Sequence, residues 1–141
     1  MITKTKIIVR YAETDQMGIA HHSNYAVWFE AGRTDLIKSM GMTYSDMENN
    51  GVIVPLTSLE CHYKKAAYYE DELVVESRLT KATNTKLEFE YQILRMSTND
   101  IISTGKTVHG MVSHNLQPIR MKKEKPEIFA MLKSAIEPSI F

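Results

Sequence analysis

The sequence predicts an α+β domain in which one long helix lies across a single antiparallel sheet. Apolar residues recur at helical spacing from Ser23 onward, and four strand-like runs then follow one another between Val52 and His114. Asn99 and Asp100 sit between the last two runs as a tight turn, which makes those two strands an antiparallel hairpin.

The elements follow in order. Ile7 to Arg10 is a short β-branched stretch that gives way to the polar, turn-prone segment Glu13 to Gly18, so a strand delivers a loop carrying Asp15. In the next segment Tyr25, Trp28, Phe29, Gly32 and Leu36 share one helical face, with Ser23 as expected N-cap and Gly41 as expected stop. Glycine inside a helix costs about 1 kcal/mol relative to alanine, so Gly32 is expected where the helix lies close against something flat, such as a sheet. A shorter helix is expected around Ser45 and Glu48, which have capping-box spacing, and Asn49, Asn50 and Gly51 end it. The expected strands run over Val52 to Tyr63, Leu73 to Leu79, Thr85 to Arg95 and Ile101 to His114. In the third, Leu87, Phe89, Tyr91 and Ile93 alternate with Lys86, Glu88, Glu90 and Gln92, predicting one buried and one wet face. Pro126 opens a terminal helix with Ile128, Phe129 and Leu132 on its apolar side.

A chain of 141 residues holds one core of useful size, so residues 1–141 are read as a single domain. Apolar residues make up 43% and charged residues 24%, the mixture of an ordinary globular protein. Seventeen Lys plus Arg balance seventeen Asp plus Glu, so no global field draws the protein to nucleic acid or to an anionic membrane, and an anionic ligand must be met by a local patch. Cys61 is the only cysteine, which excludes an internal disulfide and a Cys-cluster zinc site. It suits a reducing compartment. The opening MITKTKIIVRYAETD has no apolar core for a signal peptide, and no stretch approaches the roughly 20 apolar residues that cross a bilayer. A cytoplasmic protein without membrane insertion is expected.

The segment YAETDQMGIAHHSNYAVWFEAGRTDLI, Tyr11 to Ile37, carries a chain of motif positions: Thr14, Asp15, Gly18, His22, Asn24, Tyr25, Trp28, Phe29, Glu30 and Arg33. It closely resembles the signature of the hydroxybenzoyl-CoA thioesterase family, which includes acyl-CoA thioesterases associated with the Tol-Pal envelope system. HYKKAAYYEDELVVESRL, His62 to Leu79, looks like that family's link between its second and third strands, with Ala66 where the family usually has proline. GMVSHNLQPIR, Gly110 to Arg120, resembles its last strand and turn. The resemblance implies a hotdog fold, an antiparallel sheet wrapped around a long central helix, assembled as a homodimer or homotetramer with active sites between subunits. It also implies hydrolysis of an acyl-CoA without a cofactor.

Cutting a thioester requires a nucleophile or base at the carbonyl carbon and donors at the carbonyl oxygen as it gains negative charge. An aspartate of ordinary pKa, about 3.9, is ionised at neutral pH and can attack directly, forming an anhydride that water opens. The alternative for Asp15 is a general base, for which so acidic a group is weak unless burial raises it. By position in the resemblance, the His22 backbone N–H at the helix start faces the carbonyl oxygen, where free N–H groups and the helix dipole favour negative charge. Tyr25, closest to Asp15 in the motif, is expected near the acyl pocket. Lys64 and Lys65 are expected at the CoA phosphates, with Arg120, Lys122 and Lys123 as a second patch; simple solvated lysines are the competing reading.

Other residues read plainly. An aspartate before a helix is ordinarily an Asx-turn or cap residue, and only the surrounding motif lifts Asp15 above that. His21 and His22 are adjacent, lack partners at ligand spacing and do not form a metal motif. His62, His109 and His114 are expected as sheet residues and Cys61 as a small buried apolar group. Glu30 and Arg33, three apart, predict an intrahelical ion pair. A hotdog hydratase would need a differently spaced His and acid. A non-catalytic acyl-CoA-binding sensor or envelope-complex adaptor of the same fold is the alternative from another class.

Overall fold

A computed structural model describes residues 1–141. Strand β1 spans Ile2–Ile8, beginning at Ile2 rather than Ile7. Thr3, Thr5 and Ile7 are half-buried while Ile2, Lys4, Lys6 and Ile8 are exposed, so lysines that break the apolar run in sequence are the wet side of an edge strand. A short 3-10 turn, Tyr11–Glu13, leads into the Asp15 loop.

Helix α1 spans Ser23–Ser39 and buries Tyr25, Trp28, Phe29, Gly32, Leu36 and Ile37, the predicted stripe. His22, not Ser23, is its N-cap, because the Ser23 hydroxyl is drawn 2.8 Å from Nδ1 of His21. Gly41, at φ +103°, follows its end. Gly32 meets the sheet as expected: a Cβ there would collide with Ser77 Oγ and lie 2.9 Å from Val75 Cγ1. Helix α2, Tyr44–Asn49, is capped by Thr43 and Asp46 instead of Ser45 and Glu48. Thr43 Oγ1 accepts the Asp46 N–H at 3.0 Å and the Asp46 carboxylate accepts the Thr43 N–H at 2.9 Å.

The remaining strands are β2 (Leu56–Tyr63), β3 (Glu72–Ala82), β4 (Lys86–Arg95) and β5 (Ile101–Gly110). They pair with β1 in the order β1-β3-β4-β5-β2, every pair antiparallel. β2 starts at Leu56 rather than Val52, after Pro55, which has no N–H for the ladder. β5 stops at Gly110 because only isolated bridges continue through Val112. His114 therefore lies beyond the sheet, its Nε2 2.9 Å from the Glu48 carbonyl. A bulge between Leu79 and Lys81 carries β3 on to Ala82. The β4–β5 connection holds Asn99 at φ +62°.

Strand β4 departs from the predicted alternation at Glu90, which is 1% exposed. The Ser139 hydroxyl, at 2.6 Å, and the Ile140 N–H, at 2.7 Å, donate to its carboxylate, so the end of the chain covers this point of the outer face. Two further helices, α3 (Met121–Glu124) and α4 (Pro126–Ser134), precede that tail, and α4 buries Ile128, Phe129 and Leu132 with Pro126 in its first turn.

On the inner face Phe29 of α1 stacks on Tyr91 of β4 at 4.6 Å between ring centres. Gly105 of β5 permits this, since a Cβ there would strike the Phe29 ring. A five-stranded antiparallel sheet curled about one long helix is a hotdog fold. β1 and β2 are its two edges, and β2 has Leu56, Leu59 and Tyr63 exposed. No helix is long and apolar enough to cross a membrane.

Candidate active site

The Asp15 loop, the start of α1 and the end of β2 enclose a cleft of about 290 Å³. Asp15, His22, Tyr25, Lys64 and Lys65, named from distant parts of the sequence, all line it, together with Met17, Ile19, Ala20, Tyr63 and Ala66.

Asp15 is half-buried at the head of a tight turn. Its Oδ1 accepts the Met17 N–H at 2.8 Å and its carbonyl accepts the Gly18 N–H at 3.0 Å. Gly18, at φ +79°, supplies the left-handed residue this turn requires. The Asx-turn geometry is thus real, yet it occupies one carboxylate oxygen only, and Oδ2 bonds to no group in the chain.

At the start of α1 most donors are taken. The His21 N–H goes to Glu13 O at 2.8 Å, the Ser23 N–H to His21 Nδ1 at 3.2 Å and the Asn24 N–H to His21 O at 3.1 Å. The Tyr25 N–H reaches His22 O at 3.4 Å. The His22 N–H has no such acceptor, so it is the free donor of this helix start. The His22 ring is exposed and lies against the His21 ring, tilted by 33° with centres 4.0 Å apart. No group of three or more His, Cys, Asp or Glu side chains gathers as a metal site.

Tyr25 is 3% exposed and sits edge-on to Tyr63 at 4.9 Å. Burial, helped by the neighbouring Cys61 and opposed by Arg95, pushes its phenol pKa up, so it stays a hydrogen-bond donor at neutral pH. The two lysines differ. Lys65 Nζ lies 2.9 Å from Asp100 Oδ1, whereas Lys64 has no carboxylate within ion-pair distance. Arg120, Lys122 and Lys123 do not line this cleft; the Lys122 ammonium sits 5.8 Å from the centre of the Phe129 ring. Cys61 is a free, half-buried thiol 3.3 Å from Ser103 Oγ.

Two polar groupings along α1 escape local sequence patterns, one at the helix start and one in its middle. The first centres on Glu13, 5% exposed, whose Oε2 accepts the Trp28 indole N–H at 3.1 Å and whose Oε1 accepts the Arg10 N–H at 2.8 Å. A buried tryptophan needs an acceptor for its N–H, which is the signal that points to such a partner. The second replaces the expected Glu30–Arg33 ion pair. Arg33 Nε donates to the Tyr44 hydroxyl at 3.0 Å and its Nη1 to the Tyr91 hydroxyl at 3.1 Å. Tyr91 lies 2.7 Å from Thr107 Oγ1, Thr107 lies 3.0 Å from His109 Nε2, and His109 Nδ1 donates to Val54 O at 3.1 Å. Burial, reinforced by the Arg33 charge and opposed by the Val54 bond, lowers the His109 pKa to about 4. Neutral His109 then accepts from Thr107, which accepts from Tyr91, so every donor in the chain points the same way.

Residues 9–136 match the profile of the thioesterase-like superfamily. A Bacillus subtilis protein named provisionally as the acyl-CoA thioesterase YneP is 38% identical over 126 residues, covering 89% of this chain and 91% of the relative. The acyl-CoA thioesterase YbgC of Haemophilus influenzae is 26% identical over 128 residues, covering 89% and 92%. Among solved structures, the DHNA-CoA thioesterase of Staphylococcus aureus superposes with a TM-score of 0.88 at 34% identity, over 94% of this chain and 89% of that one.

Proposed function

The chain belongs to the thioesterase-like superfamily, and from that premise we propose that residues 1–141 act as one unit that hydrolyses an acyl-CoA to the free acid and CoA, with Asp15 as the central carboxylate. The observation that carries this reading is the pairing, at one cleft, of an uncommitted Asp15 Oδ2 with the uncommitted His22 N–H. The first supplies an attacking lone pair. The second meets the oxygen that becomes negative.

In the nucleophilic route Oδ2 forms a bond to the thioester carbon, the C–S bond breaks and the thiolate leaves with its electron pair, taking a proton from solvent. Water then opens the resulting anhydride and regenerates the carboxylate. In the general-base route the same oxygen takes a proton from the water that bonds to the thioester carbon, the C–S bond breaks, and the proton passes to the departing thiolate, restoring the carboxylate. The His22 imidazole is exposed and away from Asp15's bonds, so its backbone rather than its ring is the assigned donor. Tyr25, buried and protonated, borders the acyl group, and Lys64 is the better placed of the two lysines for a CoA phosphate because Asp100 occupies Lys65.

The proposal includes a homo-oligomer. β2 is an edge strand exposed on both faces, and the cleft wall from Tyr63 to Ala66 continues directly from it, so a second copy aligned on this edge would cover exposed Leu56, Leu59 and Tyr63 and close the open side of the cleft. Sedimentation velocity tests this; a monomer at micromolar concentration overturns it. A reducing, cytoplasmic setting is also part of the reading and fits the free Cys61.

The experiment is free-thiol release from short, long and aromatic acyl-CoAs, run beside Asp15→Asn. Turnover that collapses in the variant supports a thioesterase centred on Asp15. Binding of acyl-CoA with no thiol release from any of them overturns the enzyme reading in favour of a sensor.

A further inference from the structure

Asp15 and the His22 N–H belong to separate segments, a turn and a helix start, and thioester attack works only if the distance between them is fixed. Glu13, two residues before Asp15 at the end of the 3-10 turn, bonds across to the helix start. Its carbonyl accepts the His21 N–H at 2.8 Å, one residue before the free donor, and the Asn24 side-chain N–H at 2.9 Å. Its carboxylate accepts the Trp28 indole N–H at 3.1 Å, one turn further along α1, and the Arg10 N–H at 2.8 Å, which closes the 3-10 turn that precedes Asp15.

We propose that Glu13 is a positioning residue whose carboxylate, clamped to the Trp28 indole, sets the Asp15 turn against the start of α1. The inference rests on the thioesterase reading of this cleft. Glu13 itself touches no substrate: it is 5% exposed, lies beneath the Arg10 guanidinium and does not line the cleft.

Several features separate this clamp from an ordinary buried polar pair. A carboxylate shielded from water costs free energy unless its oxygens are bonded, and here both are, with Arg10 Nε also 3.4 Å from Oε1. Burial alone would push the Glu13 pKa up, but the bonds from Arg10 and Trp28 more than offset it and hold the carboxyl below its ordinary value. Trp28 is 2% exposed and packs on the Tyr25 ring at 4.9 Å, so a shift of the indole is passed to a cleft-lining residue as well. The carboxylate is specifically required. Glutamine offers one acceptor and one donor end, so it can receive only one of the two N–H groups and turns its own N–H₂ towards the other.

Glu13→Gln and Trp28→Phe each remove the clamp while keeping much of the volume. Both are compared with wild type for thiol release, corrected for the folded fraction by circular dichroism. The expected result is a fall in kcat of about 10- to 100-fold with KM within about twofold, and a double variant no worse than either single one. Trp28 is the only tryptophan, so its indole N–H gives one resolved ¹H–¹⁵N signal, expected to move and to lose exchange protection in Glu13→Gln. A kcat per folded molecule within twofold of wild type, with the indole signal displaced, overturns the proposal. If Glu13→Gln does not fold, Trp28→Phe decides by turnover: a kcat per folded molecule within twofold of wild type overturns the proposal. If wild type releases no thiol at all, the enzyme reading has failed separately, and the clamp is judged from the Met17, Gly18 and His22 amide signals: unchanged positions in Trp28→Phe overturn it.

Discussion

Near its start helix α1 meets a buried carboxylate, Glu13, next to two groups that have no partner in the chain; in its middle it carries a half-buried guanidinium, Arg33, at the head of a hydrogen-bonded series in which each group has one. The first cluster leaves Asp15 Oδ2 and the His22 N–H open to a cleft. The second runs through Tyr91, Thr107 and His109 to the Val54 carbonyl, each group bonded to the next. Completed polar networks hold elements together, whereas an incomplete one retains the capacity to bind or react. One helix serves both purposes because its two parts face different neighbours.

The sharpest separation is expected from Asp15→Asn, which should lower kcat/KM by about 10²- to 10⁴-fold while the melting temperature moves little, because the Asn side-chain oxygen can still accept the Met17 N–H. A comparable loss in His22→Ala would transfer the donor role from the backbone to the ring and redraw the open cluster. Next comes Gly32→Ala, whose added methyl meets Ser77 Oγ and Val75. It should destabilise by about 1–3 kcal/mol in denaturant titration with little change in kcat per folded molecule. Arg33→Met removes the head of the closed series and should cost about 1–3 kcal/mol in the same titration, again sparing turnover. A large kcat defect there would show that the two clusters are coupled.

A smaller effect concerns pH. His109 has a pKa near 4 in the fold against 6.5 for the ordinary side chain, so between those values the unfolded chain holds more protons than the folded one. Stability is therefore full above about pH 6.5 and falls as pH drops towards 4, and a second N–H on His109 would oppose the Thr107 donor. His109→Gln should flatten that part of a melting-temperature profile; an unchanged slope would remove His109 from the account. The smallest expected change is in Lys64→Ala, a few-fold rise in KM for acyl-CoA at low salt that fades as salt is added.

The parts of the molecule that a reader of the sequence can see are those fixed by local period or by motif. The α1 stripe and the place of Gly32 follow from residues a few positions apart, and the five candidate residues that share the cleft are named from motif and charge. Longer-range partners are invisible at that level. Glu30 and Arg33 have the spacing of an ion pair, but Tyr91, 58 residues away, takes the guanidinium. Trp28 reads as a core aromatic until its N–H is asked for an acceptor, and that acceptor is 15 residues upstream. The lysines of β1 look like breaks until the strand is known to lie at an edge, and Glu90 looks wet until the tail is laid over it. Each miss is a case in which a distant segment decided the environment of a locally ordinary residue.

That tail has a consequence for chain connectivity. Ile2 is paired across the sheet with Arg78, and Arg78 with Glu90, the residue to which Ser139 and Ile140 are bonded. The tail therefore lies over a position two strands, or roughly 10 Å, from Ile2, and the Met1 ammonium itself donates to the Ala135 carbonyl at 3.1 Å, so the two ends of the chain are neighbours. A short flexible linker would span that gap, so a circular permutant joined there and reopened in the exposed connection between β4 and β5 should keep its sheet order intact.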